Sequence, residues 1–172
     1  LPLVRSGRYT ELAGKILIIY FSVTSHTRQV AELIQKAVGG ELASIRTRFP
    51  YPDDMDEMSA QGHREVNSGF LPELNDFPVD MRKYDTIFLG TPVWWYSITP
   101  AMKSFLKEHD FSGKTVYPFV THEGSAGHSL NDFSADLENC FVKTGLTVRF
   151  SGSRRITRAA LIGNWAKGAL RN

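Results

Sequence analysis

The fold is decided by the stretch Ile16-Leu17-Ile18-Ile19-Tyr20-Phe21-Ser22-Val23-Thr24-Ser25-His26-Thr27. Its apolar first half predicts a strand over Lys15 to Phe21 that is buried on both faces. Its second half, Ser22 to Thr27, is rich in hydroxyl groups and leads into an amphipathic pattern. A strand that ends in hydroxyls at the start of a helix directs O–H groups and free helix N–H groups to one point. The stretch therefore predicts a binding site for an anion such as a phosphate.

Short apolar runs and helical patterns alternate along the rest of the chain. Further strands are predicted over Leu42 to Ile45, Thr86 to Gly90, Thr115 to Val120 and Val148 to Phe150. Helices are predicted from about His26 to Val38, from Asp53 or Asp54 to about Asn67, from Pro100 or Ala101 to about Glu108, from about Leu130 to Lys143 and from about Arg155 to Leu170. This alternation predicts an α/β protein with a parallel sheet and helices on both faces.

Composition limits the class of protein. The chain has 172 residues, of which 42% are hydrophobic and 22% charged, so we expect one domain over residues 15–172 behind an extended lead-in over residues 1–14. The formal charge of +2 argues against nucleic acid and anionic membranes as partners. Cys140 is the single cysteine, and no apolar run reaches the roughly 20 residues that span a bilayer. We expect a soluble, cytoplasmic protein, with a removed N-terminal leader as the open alternative.

Three loops follow predicted strands and should meet at one edge of the sheet, where open parallel sheets bind ligands. They are Ser22 to Thr27, Thr91 to Thr99 and Thr121 to Ser129. The second contains three consecutive aromatic residues, which suit a flat partner, and the third contains glycines that let backbone N–H groups approach a ligand. The first loop lacks the glycines of a P-loop or of Gly-x-Gly-x-x-Gly, which argues against ATP hydrolysis and Rossmann-type binding. The three loops thus suit, in order, a phosphate, a flat ring and the polar edge of a ring. Of the common cofactors, flavin mononucleotide (FMN) fits this combination best.

The chain resembles the flavodoxin-like FMN-binding proteins over about Lys15 to Phe150. The resemblance is carried by the Ser-x-Thr-x-x-Thr spacing and, for one subgroup of that family, by Gly90-Thr91-Pro92-Val93-Trp94-Trp95, Pro100, Phe105-Leu106 and Phe111-Ser112-Gly113-Lys114-Thr115. It implies a doubly wound, five-stranded parallel sheet of order 2-1-3-4-5 with FMN as the cofactor. Electron-carrier flavodoxins are strongly acidic, whereas the isoelectric point of this chain is about 8.7.

The resemblance also implies which residues hold the cofactor. The phosphate would be bound by Ser22, Thr24, Ser25, His26 and Thr27. One side of the isoalloxazine would be flanked by Pro92, Val93, Trp94, Trp95 and Tyr96. The pyrimidine edge would be lined by Thr121, His122, Glu123, Gly124, Ser125 and Gly127.

Electron transfer through the bound flavin is the predicted function. The alternative is an FMN-dependent NAD(P)H:quinone-type oxidoreductase, and a non-catalytic flavin-binding module is less favoured. The partner would be a redox protein or a small quinone-like acceptor, and no catalytic residue and no metal site are assigned. The absence of a suitably placed aspartate at Leu89-Gly90-Thr91 argues against a phospho-signalling receiver, and the distance of Cys140 from the first loop argues against a cysteine phosphatase.

Structural interpretations compete with each of these assignments. A Ser/Thr-rich turn before a helix is often only an N-cap, and paired tryptophans are often core residues. His122 and His128 fit loop hydrogen bonding, and Cys140, at helical spacing from Leu137 and Phe141, fits an inert buried thiol. The segment between the second and third strands, with Pro50-Tyr51-Pro52 and Phe70-Leu71-Pro72, is a candidate cover for the cofactor side.

Overall fold

The computed structural model describes residues 15–171, so the predicted lead-in over residues 1–14 lies outside the described chain. The strands are β1 (Ile16–Tyr20), β2 (Glu41–Ser44), β3 (Thr86–Trp94), β4 (Ser97–Ile98), β5 (Thr115–His122), β6 (Phe141–Val142), β7 (Leu146–Ser151) and β8 (Arg154–Arg155). The helices are α1 (His26–Val38), α2 (Met55–Ser68), α3 (Pro100–Glu108), α4 (Ser129–Asp136) and α5 (Ala159–Ala169).

Local signals place several helix ends. The Asp54 carboxylate accepts the Glu57 N–H at the start of α2, as an N-cap residue does. Thr99 caps α3 in the same way, and Pro100 occupies the first helical position, where its missing N–H costs nothing. α1 ends at Gly39, whose φ of 77° is open to glycine without strain.

The five longer strands run parallel in the order β2-β1-β3-β5-β7, which confirms the predicted order 2-1-3-4-5. The three two-residue strands add to this sheet at its margins. β4 folds back antiparallel on the end of β3, and β8 folds back on the end of β7. β6 pairs with the beginning of β5, and β7 takes over along the same edge from Phe119 onward.

Side chains that alternate along the strands separate two cores. α1 and α5 cover one face, where the buried side chains include Ile18, Val30, Ile34, Phe88, Phe119 and Ile162. α3 and α4 cover the other face, with Leu17, Ile19, Ile87, Met102, Phe105 and Phe133 among the buried side chains. Because β1, β3 and β5 are buried on both faces along most of their length, their sequences are largely apolar, as is typical of central parallel strands.

Two predicted helices differ from the structure. The helix predicted to reach Lys143 ends at Asp136, because Leu137 is extended and Phe141 donates its N–H to the Lys114 carbonyl and joins the sheet. The last helix begins at Ala159 instead of Arg155, because residues 154–155 pair with β7.

Cys140 therefore lies on a connection and not on a helix, contrary to the predicted helical spacing. It is half-buried, and this burial raises the pKa of its thiol, which keeps it in the unreactive protonated form. In the described part of the chain no helix is long and apolar enough to cross a membrane.

Candidate functional site

A cleft of about 630 Å³ opens at the carboxyl ends of β1, β3 and β5. Its volume is within the range of about 300–1,000 Å³ usual for ligand sites. The structure brings the three predicted loops together around it, with lining residues Ser22, Thr24, His26, Thr27, Pro92, Val93, Trp94, Trp95, Tyr96, Thr121, His122, Glu123, Gly124 and Ser125. Ser25 and Gly127, which were predicted with them, do not line the cleft.

The loop from Ser22 to Thr27 presents hydrogen-bond donors at the start of α1. Ser25 takes the left-handed conformation with φ 70°, and its side chain makes no capping hydrogen bond. The Ser22 hydroxyl accepts the Arg28 N–H at 3.3 Å, while no hydrogen-bond partner within residues 15–171 is found for the N–H groups of His26 and Thr27. This helix start therefore suits an anion, as the sequence predicts.

The hydroxyl groups of this loop divide into two kinds. Thr27 is only 1% exposed, and its Oγ1 lies 2.8 Å from Oγ1 of Thr121, so it ties the first loop to the third. Thr24 is exposed, and within residues 15–171 its hydroxyl makes no hydrogen bond. The His26 ring stacks on Phe150 with centroids 4.0 Å apart, which fixes the imidazole at the rim of the cleft. Thr24 is therefore the hydroxyl most available to a ligand.

Trp95 and Tyr96 form the two-residue loop of the hairpin between β3 and β4. Their φ angles are 50° and 67°, and the flanking residues Trp94 and Ser97 pair across the hairpin. Positive φ at both loop positions is the mark of a type I′ turn, in which Asn-Gly is the favoured pair. Aromatic residues there carry backbone strain, on the order of 1–3 kcal/mol each. The turn places two rings at the mouth of the cleft, where Trp95 is 43% and Tyr96 60% exposed.

Trp94 is held in a different way from its two neighbours. Its half-buried ring makes edge contacts with Phe21 and Tyr51, at centroid distances of 6.0 and 4.8 Å. A Cβ on Gly62 would lie 3.0 Å from the indole, so α2 packs directly against the ring. Trp94 thus lines the cleft and is also anchored in the core. Its place in the core agrees with the structural interpretation of the paired tryptophans.

A buried carboxylate supports this aromatic group. Glu65 accepts hydrogen bonds from the Tyr51 hydroxyl at 2.7 Å and from the Gln61 amide at 2.8 Å. Burial raises the pKa of Tyr51 far above its usual range, and the hydrogen bond and negative charge of Glu65 raise it further. Tyr51 consequently remains a neutral donor and holds its ring against Trp94.

The third loop offers one defined imidazole nitrogen. Nδ1 of His122 lies 3.0 Å from the Gly124 carbonyl oxygen, which can only accept, so Nδ1 carries the proton. The other nitrogen, Nε2, accepts a hydrogen bond when the ring is neutral and donates one when it is protonated. Glu123 accepts the Gly152 N–H at 2.6 Å and so joins this loop to the hairpin of β7 and β8.

Part of the cleft was not assigned from the sequence. The unassigned lining residues are Val23, Met55, Met58, Ser59, Gly62, Gly152 and Ser153. Met55, Met58 and Gly62 lie three and four residues apart on one face of α2, a spacing that the sequence does contain. The segment after β2 therefore covers the cleft side, as the sequence suggested. Gly152 and Ser153 belong to the β7–β8 hairpin, which was not predicted.

Across residues 15–171, no group of three or more His, Cys, Asp or Glu side chains is arranged to hold a metal ion.

An open, doubly wound parallel sheet with a ligand cleft at its strand ends defines the class of α/β proteins that bind nucleotide-like cofactors.

Comparison with known proteins gives the family. The family model described as Flavodoxin matches residues 15–165, and the chain belongs to the flavodoxin family. A solved structure of an inferred flavoprotein from Bacteroides eggerthii is 30% identical, with a TM-score of 0.77 and coverage of 90% of this chain and 97% of that one. Another, from Bacteroides uniformis, is 26% identical, with a TM-score of 0.78 and coverage of 90% and 98%. A Lactobacillus acidophilus flavoprotein in complex with FMN is 23% identical, with a TM-score of 0.68 and coverage of 78% and 92%.

Proposed function

We propose that this protein binds FMN in the cleft and transfers electrons through the bound flavin. One observation carries the proposal: a single cleft joins a helix start, whose first N–H groups have no partner within residues 15–171, to an exposed aromatic turn. The two ends match the two chemical parts of FMN, its phosphate and its flat ring system. Membership of the flavodoxin family supports the same ligand.

The residues present fit this cofactor. The phosphate would be held by the hydroxyls of Ser22 and Thr24 and the N–H groups of His26 and Thr27, with Ser25 shaping the loop. The ring would be flanked by Pro92, Val93, Trp94, Trp95 and Tyr96, and its polar edge would face Thr121, His122, Glu123, Gly124 and Ser125. Gly127 would act from outside by packing against the turn. When bound, FMN supplies one- and two-electron redox chemistry at its ring.

The chain itself contributes binding, shielding and a proton-carrying group. The buried Met58 and the adjacent Gly62 of α2 form an apolar wall that excludes water from one side of the cleft. His122 keeps its Nδ1 proton on the Gly124 carbonyl and leaves Nε2 as the atom that can exchange a proton or a hydrogen bond with a ligand.

Binding of FMN and of riboflavin, which lacks the phosphate, tests the proposal. Thr24→Val should weaken FMN about tenfold or more, since a hydrogen bond to a charged group contributes about 1.5–3 kcal/mol, and should leave riboflavin unchanged. Thr144→Val, at an exposed threonine between β6 and β7, is the matched control. Titration of flavin fluorescence gives all the dissociation constants. A wild-type protein that binds neither flavin would contradict the proposal.

A second candidate is an FMN-dependent NAD(P)H:quinone-type oxidoreductase. It is favoured by Met55 and Met58, which give the cleft an apolar wall suited to a small planar acceptor. Stopped-flow mixing of the FMN-loaded protein with NADPH separates the two functions. Rapid direct bleaching of the flavin supports the enzyme, reduction only through a reductase supports the carrier with a redox protein as partner, and bound flavin without turnover supports a storage module.

Three finer assignments complete the proposal. We propose that the Gly90–Trp95 segment marks a subgroup of the family, and that residues 15–172 form one domain built on the single sheet. A cytoplasmic location is proposed because it suits the free thiol of Cys140. Cell fractionation tests the location, and limited proteolysis tests the domain.

A further inference from the structure

The Trp95–Tyr96 turn is held from outside the cleft by the chain between β5 and α4. The His128 N–H donates to the Tyr96 carbonyl oxygen at 2.9 Å. Gly127 lies so near that a Cβ on it would stand 2.3 Å from the same oxygen. The two loops thus meet backbone to backbone, with no room for a side chain between them.

Asp132, in the first turn of α4, ties this contact to the hairpin. Its Oδ2 accepts the N–H of Ile98, in the strand that follows the turn, at 3.1 Å. Its Oδ1 lies 2.8 Å from Nδ1 of His128, whose backbone holds Tyr96. The carboxylate side chain is 18% exposed, and Asp132 is not among the residues that line the cleft. One side chain therefore bridges both supports of the turn.

This arrangement accounts for a backbone that the sequence does not favour. Non-glycine residues at positive φ persist only where the surrounding contacts stabilise that conformation by more than the strain destabilises it. At Trp95 and Tyr96 the surroundings include the hydrogen bond from His128, the close approach of Gly127 and the bridge made by Asp132, together with the contacts of the Trp95 ring with Ser59 and His63 of α2. An acidic residue early in a helix also interacts favourably with the helix dipole, but both oxygens of Asp132 have specific partners in this cluster.

We propose that Asp132 is a positioning residue that orients Trp95 and Tyr96 for the flavin ring without touching the ligand. The proposal rests on the proposed function for its ligand. It places the effect of Asp132 at the ring end of the cleft, while the phosphate end at Ser22 to Thr27 stays intact.

Affinities for FMN and riboflavin are compared in Asp132→Ala, Asp132→Asn and the control Asp136→Ala. Asp136 is exposed one turn further along the same helix. Asp132→Ala should weaken both flavins by a similar factor, about tenfold, because the lost hydrogen bonds involve a charged acceptor. Asp132→Asn keeps one acceptor oxygen and should fall between Asp132→Ala and wild type. Asp136→Ala should stay within about twofold of wild type, the size expected for an exposed substitution.

A spectroscopic readout separates positioning from a merely structural effect. With flavin at saturation, Asp132→Ala should change the visible absorption band and the residual flavin fluorescence, because the aromatic rings meet the flavin differently. A variant with a lower melting temperature and an unchanged spectrum of the saturated complex overturns the proposal. So does a loss of affinity confined to FMN.

Measurements on the flavin-free protein test the role of Asp132 independently of the proposed function. If the wild type binds neither flavin, the proposed function fails, and near-UV circular dichroism of the tryptophans then tests the role of Asp132. Asp132→Ala should lose tryptophan bands that Asp136→Ala retains, and identical spectra overturn the inference. Asp132→Asn serves the same comparison if the alanine variant does not fold.

Discussion

The Ser22–Thr27 loop and the Trp95–Tyr96 turn lie on one cleft, yet they are held by different parts of the chain. The loop is largely local: a strand runs into a helix, and Ser22 and Ser25 contact Arg28 and Gln29, although Thr27 also meets Thr121 of the third loop. The turn depends on residues far away in sequence. The comparison teaches that the donors of the proposed anion end lie in one continuous stretch, whereas the proposed ring end takes its shape from tertiary contacts.

The contacts of Trp95 show how distant these supports are. Its indole Nε1 donates to the Ser59 carbonyl of α2 at 3.0 Å, and its ring stacks on His63 with centroids 3.9 Å apart. Asp132 supports the other side of the turn from α4. Two helices therefore have to pack correctly before the ring end takes its shape.

The largest expected effect is that of Gly127→Ala, which breaks the ring end alone. The added Cβ would lie 2.3 Å from the Tyr96 carbonyl oxygen, and the φ of 56° disfavours alanine. We expect a loss of about 2–4 kcal/mol in the free energy of unfolding, from strain and overpacking together. Both flavins should weaken more than about tenfold if the displaced turn no longer fits the ring.

Gly113→Ala is the control for this change, since Gly113 also has a positive φ (75°), a Cβ there meets nothing within 4 Å, and Gly113 does not line the cleft. Urea unfolding and flavin titration measure the two effects. A Gly127→Ala protein with wild-type affinity for riboflavin would remove the distinction between the two ends of the site.

A smaller effect of opposite sign is expected when the turn is relaxed. Trp95→Asn combined with Tyr96→Gly installs the preferred type I′ pair, whereas Trp95→Ala combined with Tyr96→Ala removes the rings and keeps the strain. The Asn-Gly protein should be more stable than the Ala-Ala protein by about 1–2 kcal/mol. Both should lose flavin affinity. Thermal unfolding measures the difference, and equal stabilities would show that the turn is not strained.

The smallest effect concerns alkaline pH and Tyr51, which supports Trp94. Its folded-state pKa is raised above the unfolded value near 10, so its contribution to stability is present below about pH 10 and is lost as the pH rises further. Wild-type protein should therefore lose more unfolding free energy between about pH 9 and pH 11 than Tyr51→Phe does. Tyr84 and Tyr117, whose pKa values are also raised, affect both proteins equally. Parallel pH profiles of the two proteins would contradict the expectation.

The sequence predicts most of the fold. It also predicts the residues of the candidate site, but not the geometry of its ring end. The bounds predicted for α1 are those observed, because an apolar stripe and a glycine at its end specify them locally. The predicted extent of α4 was wrong. Leu137 packs on the same core from an extended segment, so its spacing in the sequence resembles that of a helix.

At the ring end, the composition of the loop was visible but its geometry was not. Trp94, Trp95 and Tyr96 look equivalent in sequence, and only the hairpin separates an anchored indole from two exposed rings. A Trp-Tyr pair carries no type I′ signature, since its conformation comes from Gly127 and Asp132 more than thirty residues away.

The small hairpin of β7 and β8 has a consequence for contacts between molecules. β7 is the last parallel strand, and an open strand edge invites pairing with a second chain. Phe150 and Ser151 instead pair with Arg155 and Arg154, and the Arg149 carbonyl accepts the N–H of Ile156. The chain thus occupies this part of its own edge and adds arginines where another sheet would have to approach. At this margin, the hairpin protects the protein against strand-to-strand aggregation.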